Sequence, residues 1–89
     1  MESRVTVNKE VNITAWSFRR RHQQLQSFPK RMEFDNHEYN FAEGLRYLVQ
    51  RGRQAIQLFD MSDGQNKYRL KLGEDQVWTL VSITSGRPL

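Results

Sequence analysis

Apolar and polar residues alternate in short runs along most of this chain, and this alternation restricts the possible folds more than any other feature. The first run has apolar residues at odd positions, namely Val5, Val7, Val11 and Ile13. A period of two is typical of a half-buried β-strand, because successive side chains of a strand point to opposite faces of the sheet. Residues 8–10 suit a turn, so the run predicts two short strands.

The second of these strands is expected to continue through Trp16 and Phe18 with an irregularity. Ile13 and Trp16 are three positions apart, which changes the face of the sheet that apolar residues occupy. A β-bulge or bend near Ala15 would reconcile the two halves. Residues 22–28 carry little strand or turn signal and are predicted to be a loop. Pro29 argues against a central strand at its position, because proline has no N–H to donate.

Residues 28–41 predict a β-hairpin. Met32 and Phe34 alternate with charged residues, and the alternation resumes at Tyr39 and Phe41. The intervening residues include Asn36, which tolerates turn geometry.

The following segment, residues 41–51, predicts a helix. Asn40 suits an N-cap, and Glu43 stands three positions later, as in a capping box. One stripe at helical spacing contains Phe41, Leu45, Leu48 and Val49. Gly52 could adopt the left-handed conformation that ends a helix.

The last third predicts three strands, over residues 54–60, 65–72 and 77–83, joined by tight turns at Asp63–Gly64 and Gly73. The predicted fold class is therefore α+β, an antiparallel sheet of about five to seven short strands with one central helix in the order ββββαβββ. A small, partly closed barrel is the main alternative. Residues 1–84 are expected to form a single domain and residues 85–89 a flexible tail.

The composition excludes several classes of site. The 89 residues include no cysteine, so disulfides and thiolate zinc sites are impossible. The two histidines, His22 and His37, lie far apart in sequence, and no metal or cofactor is predicted. No run approaches the roughly 20 apolar residues of a membrane span, and the first ten residues lack the apolar core of a signal peptide. A small secreted domain would more often carry disulfides, so a cytoplasmic location is expected.

No catalytic constellation is apparent, and the chain is predicted not to be an enzyme. His37 has Glu33, Asp35 and Glu38 nearby in sequence, a pattern better explained as an exposed turn histidine. The segment ending in Asp63–Gly64 lacks the repeated aspartates and distal glutamate of a calcium loop.

A stretch without acidic residues, from Val11 to Met32, is the main functional signal. Its cations are interleaved with the aromatic residues Trp16, Phe18 and Phe28. Single-stranded nucleic acid binding needs this pairing, because cations follow phosphates and rings stack on bases. The predicted nucleic-acid surface comprises Trp16, Arg19, Arg20, Arg21, Lys30 and Arg31, extended by Lys67, Arg69 and Lys71. Residues 1–53 carry 10 Lys and Arg against 6 Asp and Glu, whereas residues 54–89 carry 4 against 4.

The alternative hypothesis is a homodimeric protein-interaction or adaptor module. Two of the C-terminal strands have apolar residues on both faces, which a short chain covers only in part. The predicted interface anchors are Tyr47, Phe59, Trp78 and Leu80, because large side chains dominate interface energetics.

Overall fold

The protein is an all-β domain of two antiparallel sheets. The computed structural model describes residues 3–86, and of Arg21 only the backbone. The eight strands are β1 (Ser3–Glu10), β2 (Asn12–Arg21), β3 (Gln24–Phe34), β4 (His37–Asn40), β5 (Glu43–Arg51), β6 (Gln54–Ser62), β7 (Asn66–Leu72) and β8 (Trp78–Ser85). No helix occurs among the described residues, so the predicted α+β class with a central helix is wrong.

One sheet has five strands in the order β1-β8-β7-β6-β5, and the other has three in the order β2-β3-β4. Strands β5 to β8 follow one another as a simple meander, and the last strand, β8, also pairs with the first strand, β1. Every pairing is antiparallel, which is consistent with the short connections between consecutive strands.

Two bends carry the chain from one sheet into the other. Val11 lies between β1 and β2, and its N–H donates to the carbonyl of Trp78 at 2.9 Å. Phe41 follows β4 and donates to the carbonyl of Lys30 at 2.8 Å, and Ala42 then donates to Ser62 at 2.8 Å. Each bend is therefore hydrogen-bonded to a neighbouring strand. Val11 and Phe41 are both buried, so the two corners of the domain are part of its core.

The core fills the space between the sheets. Its members are the buried residues Val11, Phe28, Met32, Phe41, Phe59, Met61, Tyr68, Leu70 and Leu80. Tyr68 contacts the ring of Phe41 at a centroid distance of 5.2 Å and the ring of Tyr39 at 5.6 Å. Such tilted aromatic contacts contribute on the order of 1 kcal/mol beyond the area that they bury.

The residues predicted to form the helix form strand β5 instead. The same positions also satisfy a period of two, with Leu45, Tyr47 and Val49 at alternate positions. Pairing with β6 from Glu43 to Arg51, without a register shift, supplies hydrogen bonds that the isolated segment lacks. Gly52 does adopt a positive φ of 59°, but in the two-residue turn between β5 and β6. A glycine of this kind serves a tight hairpin as well as a helix end.

Two further local predictions are wrong. Residues 8–10 are not a turn, because β1 continues through them to Glu10 with a bulge at Asn8, whose φ is 52°. Residues 22–28 are not a loop, because only His22 and Gln23 form a turn and β3 begins at Gln24. Pairing with β2 along the whole length of the hairpin stabilises a strand that its own sequence favours only weakly.

The predicted tight turn at Gly73 is also wrong, because the five residues 73–77 connect β7 to β8 and the positive φ there belongs to Gln76. The following local predictions are confirmed. The register of β2 shifts on both sides of Ala15, as the change in apolar phase indicated. Strands β3 and β4 form the predicted hairpin, and β6, β7 and β8 are the three predicted C-terminal strands. Pro29 lies within the central strand β3, but β4 pairs only with residues 31–34. Its missing N–H therefore interrupts no pairing with β4. Residues 87–89 of the predicted tail lie outside the described part of the chain.

Gly44 in β5 tests how closely the core is packed. A Cβ at this position would overlap the Sδ of Met61, approach its Cε to 2.6 Å, and lie 3.0 Å from the carbonyl oxygen of Asp60. Because Met61 is fully buried, it has little room to move. We expect Gly44→Ala to lower the free energy of unfolding by about 1–3 kcal/mol, the usual cost of overpacking.

Urea denaturation followed by tryptophan fluorescence measures this change. The control is Gly86→Ala, because a Cβ at Gly86 would meet no atom within 4 Å. Equal midpoints for the two variants would contradict the close packing of Gly44 against Met61.

Candidate nucleic-acid interface

The acid-free stretch of the sequence forms a single structural unit, the hairpin of β2 and β3. Its turn consists of His22 and Gln23, with φ values of 51° and 63°. The two strands pair from Asn12 opposite Glu33 to Arg21 opposite Gln24. Strand β4 covers only residues 31–34 of β3, so the end of the hairpin near its turn has no strand partner from β4.

One face of this hairpin is apolar and exposed. In the backbone register, Trp16 lies opposite Pro29, Phe18 opposite Ser27, and Arg20 opposite Leu25. These residues are two positions apart on each strand, so their side chains share a face. The exposed fractions are 41% for Trp16, 64% for Phe18 and 65% for Leu25. Pro29 is buried, so the exposed part of this face consists of two rings, a leucine and the exposed Arg20; this part is here called the hairpin face.

A chain of aromatic contacts connects the hairpin face to the core. The ring of Trp16 lies 5.5 Å from that of Trp78, and Trp78 lies 5.0 Å from Phe59. Phe59 in turn contacts Phe28 edge-to-face at 6.1 Å. Trp16 therefore packs through Trp78 against the buried rings of Phe59 and Phe28, and these contacts restrict the movement of its indole. Part of the indole stays exposed to solvent.

Arg19 lies on the other face of β2 and has a different environment. Its guanidinium carbon is 4.8 Å from the centroid of the Phe28 ring, within the range of a cation–π contact. Nη1 and Nη2 approach the carbonyls of Gly44 and Ala42 at 3.4 and 3.5 Å. Arg19 thus bridges the hairpin to the start of β5, and it does not join Arg20.

The other predicted cations of the hairpin are only partly available. Lys30 is exposed, whereas Arg31 is half-buried and donates from Nε to Oδ1 of Asn40 at 3.1 Å. Arg21 is the last residue of β2, and its side chain lies outside the described part of the structure.

The predicted extension through Lys67, Arg69 and Lys71 lies in the other sheet, on β7. Arg69 donates from Nε and Nη2 to the two carboxylate oxygens of Asp60, at 2.8 and 2.9 Å. These hydrogen bonds raise the pKa of Arg69 above its ordinary value and offset its charge. The structure therefore does not bring the nine predicted residues together on one surface.

The predicted interface anchors are also divided. Phe59 and Leu80 are buried and offer no surface to a partner, and Trp78 is half-buried beneath Trp16. Only Tyr47 is exposed. Phe18 and Leu25 were missed as candidate site residues, although the spacing of Trp16, Phe18 and Arg20 at alternate positions of a strand could have indicated a shared face.

The turn between β6 and β7 has a network of its own around Asp63. Its Oδ1 accepts hydrogen bonds from the N–H groups of Gln65 and Asn66 at 2.9 and 2.8 Å, and Oδ2 accepts from the hydroxyl of Tyr68 at 2.8 Å. Burial alone would raise the pKa of Asp63, but the hydrogen bonds outweigh it and the pKa is lowered. Burial raises the pKa of Tyr68 to about 12. The network explains Asp63 as a structural turn residue.

Other kinds of site have no counterpart in the part of the chain that the structure describes. Within residues 3–86, no three His, Asp or Glu side chains are placed to hold a metal ion. Over the same range, the structure contains no helix long and apolar enough to cross a membrane. Comparison of the chain with protein families, with curated proteins and with solved structures found no match in any of the three.

The lowered pKa of Asp63 predicts how stability depends on pH. Its carboxylate stabilises the fold above the ordinary pKa of 3.8, and this contribution is lost as the pH falls through the lower folded value. We expect Asp63→Asn to be less stable than the natural protein at pH 7 and to lose less stability between about pH 5 and pH 2.

Urea midpoints measured across this pH range check the prediction, with Asp35→Asn in the β3–β4 turn as the control. If the two variants lost stability in parallel with the natural protein on acidification, the network around Asp63 would not have the role assigned to it.

Proposed function

We propose that this protein is a small, non-enzymatic binding protein that holds single-stranded nucleic acid on the hairpin face. The observation that carries the proposal is the exposure of Trp16 and Phe18 beside Arg20, on a hairpin without acidic residues from Asn12 to Met32. We propose a cytoplasmic location with it, on the absence of cysteine.

The spacing of the two rings suits successive bases. Residues two apart on a strand are about 6.7 Å apart, a separation that neighbouring bases of an extended single strand can match. Each base stacked on an aromatic side chain contributes about 1–3 kcal/mol. Trp16 is already fixed against Trp78, so little conformational freedom of this side chain would be lost on binding.

The charge of the hairpin supports the same ligand. Arg20 is exposed beside Phe18 on the hairpin face. Phosphates next to the stacked bases would meet this cation without repulsion from a carboxylate on the same segment. Because a stacking surface accepts any base, we expect weak dependence on sequence and strong dependence on salt.

The second candidate, a homodimeric interaction module, has one specific observation in its favour. Tyr47, one of the predicted anchors, is exposed on β5, at an edge of the five-stranded sheet.

Fluorescence anisotropy with labelled single-stranded and double-stranded oligonucleotides at about 50 mM salt tests the proposal where phosphate contacts are strongest. We expect Phe18→Ala to raise Kd for the single strand by about 5- to 150-fold, which corresponds to the loss of one stacked base. Absence of micromolar binding at this salt concentration would refute nucleic-acid binding. Equal affinity for the two oligonucleotides would refute base stacking.

A second prediction concerns charge. Arg20→Ala should weaken binding of the single strand and reduce the slope of log K against log salt by about 0.7, because one phosphate contact is lost. The matched control is Arg4→Ala, which removes the same charge from β1 in the other sheet. If both variants changed the slope equally, the nucleic acid would not be held by the hairpin face.

A further inference from the structure

Strand β5 is a long, regular edge that no other strand of the described chain covers. It pairs with β6 on one side, from Glu43 to Arg51, without a register shift. The opposite edge of the same sheet, β1, is interrupted by the bulge at Asn8. Bulges of this kind protect a sheet edge from further pairing, whereas a straight edge presents free N–H and carbonyl groups to another strand.

Apolar side chains are concentrated on this unprotected edge. The exposed fractions are 54% for Leu45, 43% for Tyr47 and 67% for Leu48. Edge strands that remain single usually carry charged side chains, especially lysine, or proline. Strand β5 contains no lysine or proline, and Glu43 and Arg51 lie at its two ends. The charge in its middle, Arg46, donates a hydrogen bond to Gln57 of β6, so the exposed side chains left there are apolar.

The sequence of β5 is complementary to itself. In an antiparallel pair of two β5 strands centred on Tyr47, Glu43 of each copy lies opposite Arg51 of the other. In the same register Leu45 lies opposite Val49, and the two Tyr47 residues face each other. Opposite charges, aliphatic pairs and aromatic pairs are the cross-strand combinations that stabilise antiparallel sheets. Two-fold symmetry provides the charged and aliphatic pairs twice.

The backbone of β5 is compatible with this register. The contact of Arg19 Nη1 with the carbonyl of Gly44 shows that this carbonyl points away from β6, to an edge where a side chain and not a strand meets it. Because the direction of backbone groups alternates along a strand, Arg46 and Leu48 present their N–H and carbonyl groups at the same edge. A register centred on Tyr47 sets Arg46 of one copy opposite Leu48 of the other, so the free groups can form hydrogen bonds.

We propose that two copies of this chain associate through antiparallel pairing of their β5 strands, with Tyr47 at the two-fold axis, and so join their five-stranded sheets into one. The occupant of the edge is a second copy, because the pattern of charges and apolar residues is symmetric about Tyr47. The dimer gives a specific geometry to the second candidate function and does not depend on nucleic-acid binding by the hairpin face.

Sedimentation equilibrium over a range of concentrations, without nucleic acid, tests the dimer. We expect a monomer–dimer equilibrium for the natural chain. Arg51→Glu sets like charges opposite each other twice and should raise the dimer Kd by about tenfold or more. The double variant Glu43→Arg with Arg51→Glu restores opposite charges in reversed order, and its Kd should return to within about threefold of the natural value.

A second pair of variants locates the edge. Leu45→Lys should weaken the dimer, because it sets a lysine opposite Val49 in both halves, whereas Val5→Lys on the opposite edge strand should not. The two positions are similarly exposed, at 54% and 59%. Circular dichroism would verify that each variant keeps its strands.

Three results would overturn the proposal. A natural chain that stays monomeric at the highest concentration would exclude the dimer. A dimer that tolerates both Arg51→Glu and Leu45→Lys would use another surface. A double variant as weak as Arg51→Glu alone would exclude the register centred on Tyr47.

Discussion

The two hydrogen-bonded bends at Val11 and Phe41 are the constraint on which the rest of the structure depends. At each bend a continuous chain leaves one sheet and enters the other, while its backbone stays bonded to a neighbouring strand. The sheets are therefore connected at two corners, and the apolar side chains between them form one core. Buried polar backbone groups must be paired, so this hydrogen bonding allows Val11 and Phe41 to be buried at the corners.

The same bends expose the surfaces that have functional potential. Strand β4 ends after four residues because the chain turns into the other sheet, and most of the β2–β3 hairpin therefore has no strand from β4 beside it. For the same reason the chain leaves the three-stranded sheet after β4, and β5 forms an edge strand of the five-stranded sheet. The open edge of the β2–β3 hairpin near its turn and the β5 edge are two consequences of one topological feature.

The sequence predicted strands well where alternation and turn chemistry agreed, and failed where two periods fitted the same residues. The C-terminal meander has Gly64 in a tight turn with φ 99°, and the apolar residues of its middle strand β7 follow a period of two alone. Residues 41–51 satisfied both a helical stripe and an alternating pattern, and a possible N-cap at Asn40 favoured the helix. Pairing with β6 decided the outcome, because a short helix is marginal without tertiary contacts whereas a strand gains a full ladder of hydrogen bonds.

What the sequence alone determined is the alternation, the turns and the acid-free segment, since these depend on residues close together in the chain. The sequence indicated that cations and aromatic residues are close to each other along the chain between Val11 and Met32. Only the tertiary structure decided which of them share a surface: Arg20 lies beside Phe18, Arg19 turns towards Phe28 and β5, and Asp60 neutralises Arg69. The physical reason is that strand register, bulges and bends fix the direction of each side chain. These features are set by contacts between segments distant in sequence.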